Sequence, residues 1–122
     1  MTTIFVYGSL MREGGVHHIM EDMVTFEGEA SVTGARLYNC GAFPGLRITK
    51  DPKDIVHGEL FRVKGNDEAY LFRNLDWYEG SPGLFRRAFV VVKCGPKFHK
   101  AVTYVFNAKL GANDLWIPEG RW

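Results

Sequence analysis

The sequence predicts an α+β fold, a small and mostly antiparallel β-barrel with short flanking helices. Three observations lead to this prediction. About six runs of residues have the alternation or β-branched composition of strands, whereas one segment has the clear spacing of an amphipathic helix. Short turns join most of the runs, which favours antiparallel neighbours. A closed barrel would also leave the sheet without exposed edges.

The N-terminal part predicts one strand, one turn and one short helix. Ile4–Tyr7 is a run of β-branched and aromatic residues, typical of a strand buried on both faces. Gly8 and Ser9 end the strand in a turn, because glycine permits backbone conformations that other residues resist. Further along, apolar residues at helical spacing predict a short helix over Val16–Met23.

The middle of the chain has strand patterns separated by glycine. Thr25–Tyr38 alternates loosely and contains Gly34, so it predicts one long bent strand or two strands joined by a bulge. Phe43-Pro44-Gly45 predicts a tight bend. Ile55–Val63 then predicts a further strand.

A single amphipathic helix is predicted after Asn66, which is a suitable N-cap. Its apolar face consists of Leu71, Phe72, Leu75 and Tyr78. Gly80 is well placed to end the helix, and Pro82 prevents its resumption.

The last strands form a predicted hairpin. Ala88–Cys94 and His99–Phe106 are β-rich runs, and the compact segment Gly95-Pro96-Lys97 joins them. The tail that follows has little periodicity, and we expect its tryptophans to pack back against the body.

Length and composition limit the class of protein. A chain of 122 residues has material for one hydrophobic core, so a single domain is expected over residues 1–122. The net charge of +1 gives no bulk affinity for nucleic acid or for a membrane, and no apolar segment approaches the length of a membrane span. Cys40 and Cys94 match no metal or redox spacing, and we expect them to be reduced thiols in a cytoplasmic protein.

Glu79 is the carboxylate that the pattern singles out. It ends the apolar helix beside Trp77 and Tyr78, where the helix dipole and burial among aromatic residues would raise its pKa towards neutral pH. A surface glutamate at a frayed helix end is the alternative. Asp76 is a second carboxylate, although it is equally suited to pair with an arginine at 86–87.

The turn at Gly8-Ser9 suggests a way of holding an anion, and no nucleophile is evident. Consecutive backbone N–H groups in such a turn can bind an anion, although an ordinary strand-end turn explains the same residues. Ser9 has no recognisable catalytic partners, and Cys94 lies in a strand pattern. The adjacent His17 and His18 diverge on a helix, so no metal site is expected. This combination suits a substrate that supplies its own nucleophile.

Two motifs, together with three shorter ones, resemble a known family. These are Tyr7-Gly8-Ser9-Leu10, Leu75-Asp76-x-Tyr78-Glu79-Gly80-x-Pro82 followed by Arg86-Arg87, Phe43-Pro44-Gly45, Gly58-Glu59-Leu60-Phe61 and the closing Gly120-Arg121-Trp122. Their order and separation over nearly the whole chain resemble the γ-glutamylcyclotransferase-like proteins, in particular the AIG2-like and γ-glutamylamine cyclotransferase branch.

The resemblance implies a function and a site. Tyr7, Gly8, Ser9 and Leu10 would bind a small-molecule γ-glutamyl substrate, and Glu79 would be the general acid/base that forms 5-oxoproline. It implies no cofactor and no metal, and we expect a monomer or a weak homodimer.

Phe85 departs from the family pattern, because many relatives have tyrosine there, and this bears on substrate identity. Two alternatives stay open. One is a non-catalytic barrel that binds a carboxylate ligand or a partner protein, and the other is an amide hydrolase that uses Ser9 or Cys94.

Overall fold

The structure, a computed structural model, describes residues 1–81 and 83–122. That part of the chain forms eight strands and one α-helix: β1 (Thr3–Val6), β2 (Val24–Thr33), β3 (Ala35–Asn39), β4 (Pro44–Ile48), β5 (Ile55–Val63), α1 (Glu68–Glu79), β6 (Phe85–Cys94), β7 (Lys97–Phe106) and β8 (Leu115–Ile117). Two strands exceed the expected six, because the run over residues 25–38 divides at Gly34 and the tail adds β8.

Five strands close into a barrel in the order β1-β5-β2-β6-β7, which confirms the predicted fold class. The neighbours are antiparallel except β1 and β7, which meet in parallel at Ile4 and Val102. Every residue of β1 is buried, as its composition predicted. Ile4 and Val6 pack in one apolar cluster with α1, whereas Phe5 packs in a second cluster with β3 and β4.

The other three strands form a small sheet in the order β4-β3-β8. Gly34, with a φ of 82°, is the left-handed residue between β2 and β3, while the bulge lies within β2 between Phe26 and Gly28. The tight bend predicted at Phe43-Pro44-Gly45 was wrong in part, because Pro44 and Gly45 are the first residues of β4 and pair with β3.

Helix α1 presents Leu71, Phe72 and Leu75 to the core, as its spacing predicted. It begins after a 3-10 turn at Gly65–Asp67, so the prediction of Asn66 as the N-cap was wrong. Gly80 ends the helix in the left-handed conformation, with a φ of 65°. Pro82 lies outside the described residues.

The predicted short helix at Val16–Met23 is replaced by two 3-10 turns, His17–Ile19 and Glu21–Met23. Met20 separates them with a φ of −120° and is fully buried, so the chain leaves the helical path where it places this side chain in the core. In the described residues no helix is long and apolar enough to span a membrane.

Candidate functional site

A cavity of about 220 Å³ lies between the turn after β1, the start of β4 and the end of α1. Its wall includes all five residues that the sequence singled out for a site, namely Tyr7, Gly8, Ser9, Leu10 and Glu79. The two motifs, about seventy residues apart in the chain, therefore face the same space.

The turn after β1 is held by its carbonyl groups. The Gly8 carbonyl accepts a hydrogen bond from the Met11 N–H at 3.0 Å, and the Ser9 carbonyl accepts one from the Val16 N–H at 3.1 Å. Within residues 1–81 and 83–122, no acceptor is found for the N–H groups of Gly8, Ser9 or Leu10. Consecutive N–H groups without an acceptor are a type of group that can bind an anion.

Gly8 is required for a different reason from the one that the sequence suggested. Its backbone is not left-handed, but a Cβ at this position would lie 2.6 Å from Pro44 Cγ. The close approach of the turn to β4, rather than an unusual φ, therefore favours glycine here. Pro44, which was expected in a bend, thereby becomes part of the cavity wall.

The loop that follows the turn is fixed by Glu59, which lies on β5 and is 9% exposed. The Arg12 backbone N–H donates to Glu59 Oε1 at 2.7 Å, and Arg12 Nε donates to Oε2 at 3.0 Å. The Arg12 guanidinium also lies 3.5 Å from the centre of the Phe26 ring. One buried carboxylate thus fixes both the backbone and the side chain two residues beyond the turn.

The hydroxyl of Tyr7 is already engaged within the protein. It donates to the carbonyl oxygen of Tyr104 at 2.6 Å and accepts from the Leu46 N–H at 3.3 Å. Burial raises the pKa of Tyr7 far above its ordinary value, with a smaller effect of the Glu79 charge. Tyr7, directly after β1, therefore links this strand to β4 and β7, and it also lines the cavity.

Glu79 is the last residue of α1 and is partly buried on the cavity wall. Burial raises the pKa of Glu79 to about 7. Trp77 does not contribute to this burial, contrary to the prediction, because its side chain is 86% exposed on the outer side of the helix. A carboxyl group with a pKa near neutral can both accept and return a proton at physiological pH.

Asp76 lies outside the cavity wall and is committed to other partners. Its Oδ1 is 3.1 Å from Arg87 Nε and accepts a hydrogen bond from the Tyr104 hydroxyl at 2.6 Å. Of the two arginines that the sequence offered, the structure thus pairs Asp76 with Arg87. Burial, followed by the bond to Asp76, raises the pKa of Tyr104 well above its ordinary value.

Sequence reasoning missed several residues of the wall, among them Tyr104 and Leu84. Tyr104 lies near the end of β7, among mostly apolar residues, where its hydroxyl group was the one available signal. Leu84 is an exposed apolar residue in a connection, and nothing in its local sequence indicates a site.

The arrangement gives little support to a protein nucleophile. In the described part of the chain, Ser9 has no hydrogen-bonded histidine. Cys94 lies near Gly28, away from the residues that line the cavity. Among the same residues no group of three or more histidine, cysteine, aspartate or glutamate side chains is placed to hold a metal ion.

Comparison with known proteins finds one matching family and several similar proteins and solved structures. Residues 4–122 match the family described as gamma-glutamyl cyclotransferase, AIG2-like. The gamma-glutamylcyclotransferase family protein ytfP of Citrobacter rodentium is 32% identical over 119 residues, which cover 98% of this chain and 93% of that protein. The gamma-L-glutamyl-butirosin B gamma-glutamyl cyclotransferase of Niallia circulans is 28% identical over 111 residues, covering 88% of this chain and 68% of that protein. The crystal structure of an AIG2-like protein from Mus musculus superimposes with a TM-score of 0.75 at 25% identity, covering 92% of this chain and 80% of that one.

Proposed function

Because the chain belongs to the gamma-glutamyl cyclotransferase, AIG2-like family, we propose that it cyclises the γ-glutamyl group of a γ-glutamyl amine or amino acid to 5-oxoproline and releases the free amine. Membership of the family confirms the resemblance that the sequence motifs indicated. The substrate and the roles of individual residues are the parts that we propose.

One observation supports the proposal above the others, which is the position of Glu79. It is the only charged side chain among the described residues of the cavity wall. Burial raises its pKa to about 7, so both the ionised and the protonated form are accessible near neutral pH. It lines the same cavity as Gly8, Ser9 and Leu10. A general acid/base and an anion-binding backbone are the two elements that this reaction needs.

The proposed mechanism is an intramolecular aminolysis. The N–H groups of Gly8, Ser9 and Leu10 bind the γ-glutamyl moiety, and the α-amine of the substrate attacks its own γ-carbonyl carbon to close a five-membered ring. Ionised Glu79 takes a proton from the attacking amine and returns one to the leaving nitrogen as its bond to carbon breaks. Since both reactants belong to one molecule, the protein mainly has to fold the substrate into an attacking conformation and exclude water.

The remaining features of the proposal follow from the chemistry. The ring closure needs no metal and no organic cofactor. Cys40 and Cys94 carry free thiols, which supports a reducing, cytoplasmic location.

The proposal is tested by incubating the protein with a panel of γ-glutamyl amides and amino acids and measuring 5-oxoproline. We expect at least one member of the panel to give 5-oxoproline and free amine in equal amounts. The matched control is Glu79→Gln, which should slow formation by at least about 10²-fold, with Asp76→Asn as a carboxylate variant from the same helix. A panel that gives no 5-oxoproline, or glutamate in its place, would contradict the proposal.

A further inference from the structure

Among the described residues of the cavity wall, Tyr78 and Leu84 are exposed and mark the entrance, whereas Phe43, Ser9 and Glu79 are half-buried. Phe43 precedes β4, Tyr78 lies in the last turn of α1, and Leu84 lies between α1 and β6. Tyr78 is 39% exposed and Leu84 is 43% exposed, whereas the wall residues Phe85 and Tyr104 are buried. Tyr78 and Leu84 therefore mark the side on which the cavity opens to solvent.

The backbone holds Leu84 firmly at this entrance. Its N–H donates to the Gly80 carbonyl at 2.9 Å, and its own carbonyl accepts from the Asn107 N–H at 2.8 Å. Both bonds involve main-chain atoms, so a change of the Leu84 side chain leaves them in place. Leu84 thus projects from a fixed point rather than from a loose loop.

Phe43 is fixed by aromatic packing. Its ring meets Phe85 edge-on, with centroids 5.7 Å apart, and lies 6.1 Å from the ring of Phe106. Phe85 and Phe106 also meet edge-on at 5.4 Å. The phenylalanine at position 85 is therefore part of an apolar cluster that continues from the wall to the entrance.

The cavity wall carries few charged side chains. Its described residues include no lysine or arginine, and Glu79 is the single carboxylate. An ionised group held at the entrance would lose hydration beside Phe43, Tyr78 and Leu84, whereas an apolar chain held there would gain contacts with them. In the proposed reaction the γ-glutamyl end occupies the interior, so the leaving amine lies at the entrance.

We propose that Phe43, Tyr78 and Leu84 determine specificity by selecting γ-glutamyl amides whose leaving amine carries an uncharged apolar chain. This inference rests on the proposed function, because it assigns the entrance to the leaving group. It extends that function by giving the chemical class of the amine.

The test compares kcat/KM for three substrates: the γ-glutamyl methylamide, butylamide and 4-aminobutylamide. All three release a primary alkylamine, so the chemical step is closely similar. Each buried methylene strengthens binding roughly threefold to fourfold, and three methylenes at a half-open entrance give the butylamide an advantage of about tenfold over the methylamide. We expect the butylamide to exceed the 4-aminobutylamide by about the same factor, because the terminal ammonium is disfavoured among apolar side chains.

The variant Leu84→Ala should lower the ratio of kcat/KM for butylamide over methylamide by about fivefold. The matched control is Leu115→Ala, because Leu115 is 65% exposed on β8 and lies outside the cavity wall. This control should keep the ratio of the unaltered protein. Both substrates are measured on one preparation, so the ratio does not depend on how much of a variant is folded.

The outcomes separate this inference from the proposed function. If the methylamide is cyclised but the butylamide is not favoured, or if the 4-aminobutylamide equals the butylamide, the selection is wrong and the proposed function stands. A ratio that Leu84→Ala leaves unchanged also overturns the selection. If none of the three amides gives 5-oxoproline but a γ-glutamyl amino acid does, the selection fails and the proposed function stands; if neither kind of substrate gives it, both fail.

Discussion

Replacing Glu79 by glutamine should affect activity and stability in opposite directions at neutral pH. Burial raises the pKa of Glu79 from its ordinary value of 4.5 to about 7, so the folded protein favours the protonated carboxyl. Between these two values the folded state binds a proton that the unfolded state has lost, so this group makes stability fall as pH rises. Each unit of pKa corresponds to about 1.4 kcal/mol, and the full effect is therefore about 3 kcal/mol, reached above pH 7.

Glutamine has nearly the same shape and does not ionise, so this loss of stability should be absent from Glu79→Gln. We expect the free energies of unfolding of the two proteins to be similar near pH 4.5. By pH 8 the variant should be more stable by up to about 3 kcal/mol. Urea unfolding at pH 4.5, 6, 7 and 8 measures this difference. If the free energy of unfolding changes with pH in the same way in both proteins, the claim that burial destabilises the ionised form of Glu79 is refuted.

The same variant should lose at least about 10²-fold in kcat, because general acid–base catalysis contributes that much. In the unaltered protein, kcat/KM should rise with pH through about 7 as Glu79 ionises. A Glu79→Gln protein that retains most of the turnover would contradict its role in proton transfer.

Three further variants test the surroundings of the cavity. Gly8→Val places a side chain where a Cβ would lie 2.6 Å from Pro44 Cγ, so it should lower the free energy of unfolding by about 1–3 kcal/mol or raise KM steeply; a neutral result in both assays would contradict the packing of the turn. Ser9→Ala should change kcat/KM by less than about fivefold if backbone N–H groups bind the substrate, whereas a folded but inactive variant would favour a serine nucleophile. Asp76→Asn weakens the contacts of Asp76 with Arg87 and Tyr104, so it should lower the free energy of unfolding by about 2 kcal/mol. Its kcat should fall less than that of Glu79→Gln. A larger fall in kcat for Asp76→Asn than for Glu79→Gln would make Asp76 the proton-transfer group.

The elements that the sequence predicted well are those whose pattern is local. The alternation over Ile55–Val63 coincides with β5, and the apolar spacing of Leu71, Phe72 and Leu75 gives the buried face of α1. In both cases side-chain period and burial follow directly from the backbone geometry of a strand or a helix. Gly80 ended the helix as predicted for the same local reason.

The parts that sequence reasoning could not supply depend on contacts between distant segments. Met20 is buried in the core, and this burial divides the predicted helix into two 3-10 turns. It is decided by tertiary packing. The fit of Gly8 against Pro44 and the bond between Glu59 and Arg12 join residues more than thirty positions apart. The spacing of apolar residues along the chain does not indicate such contacts. The cavity wall could therefore be described only from the folded structure, in which the turn after β1, β4 and α1 come together.

The site residues are a mixed case. The local pattern and the motif resemblance together singled out the turn and Glu79, and the fold brings them to one cavity. Their roles in binding and proton transfer stay predictions.

The central claim, that the substrate's own amine is the nucleophile, is tested most directly by running the reaction in ¹⁸O-labelled water. The substrate is the γ-glutamyl amide that the protein converts fastest, and the products are analysed by mass spectrometry. Ring closure takes no oxygen from water, so the account predicts 5-oxoproline without label. Glutamate that carries ¹⁸O in its γ-carboxylate would contradict the account and identify the protein as an amide hydrolase.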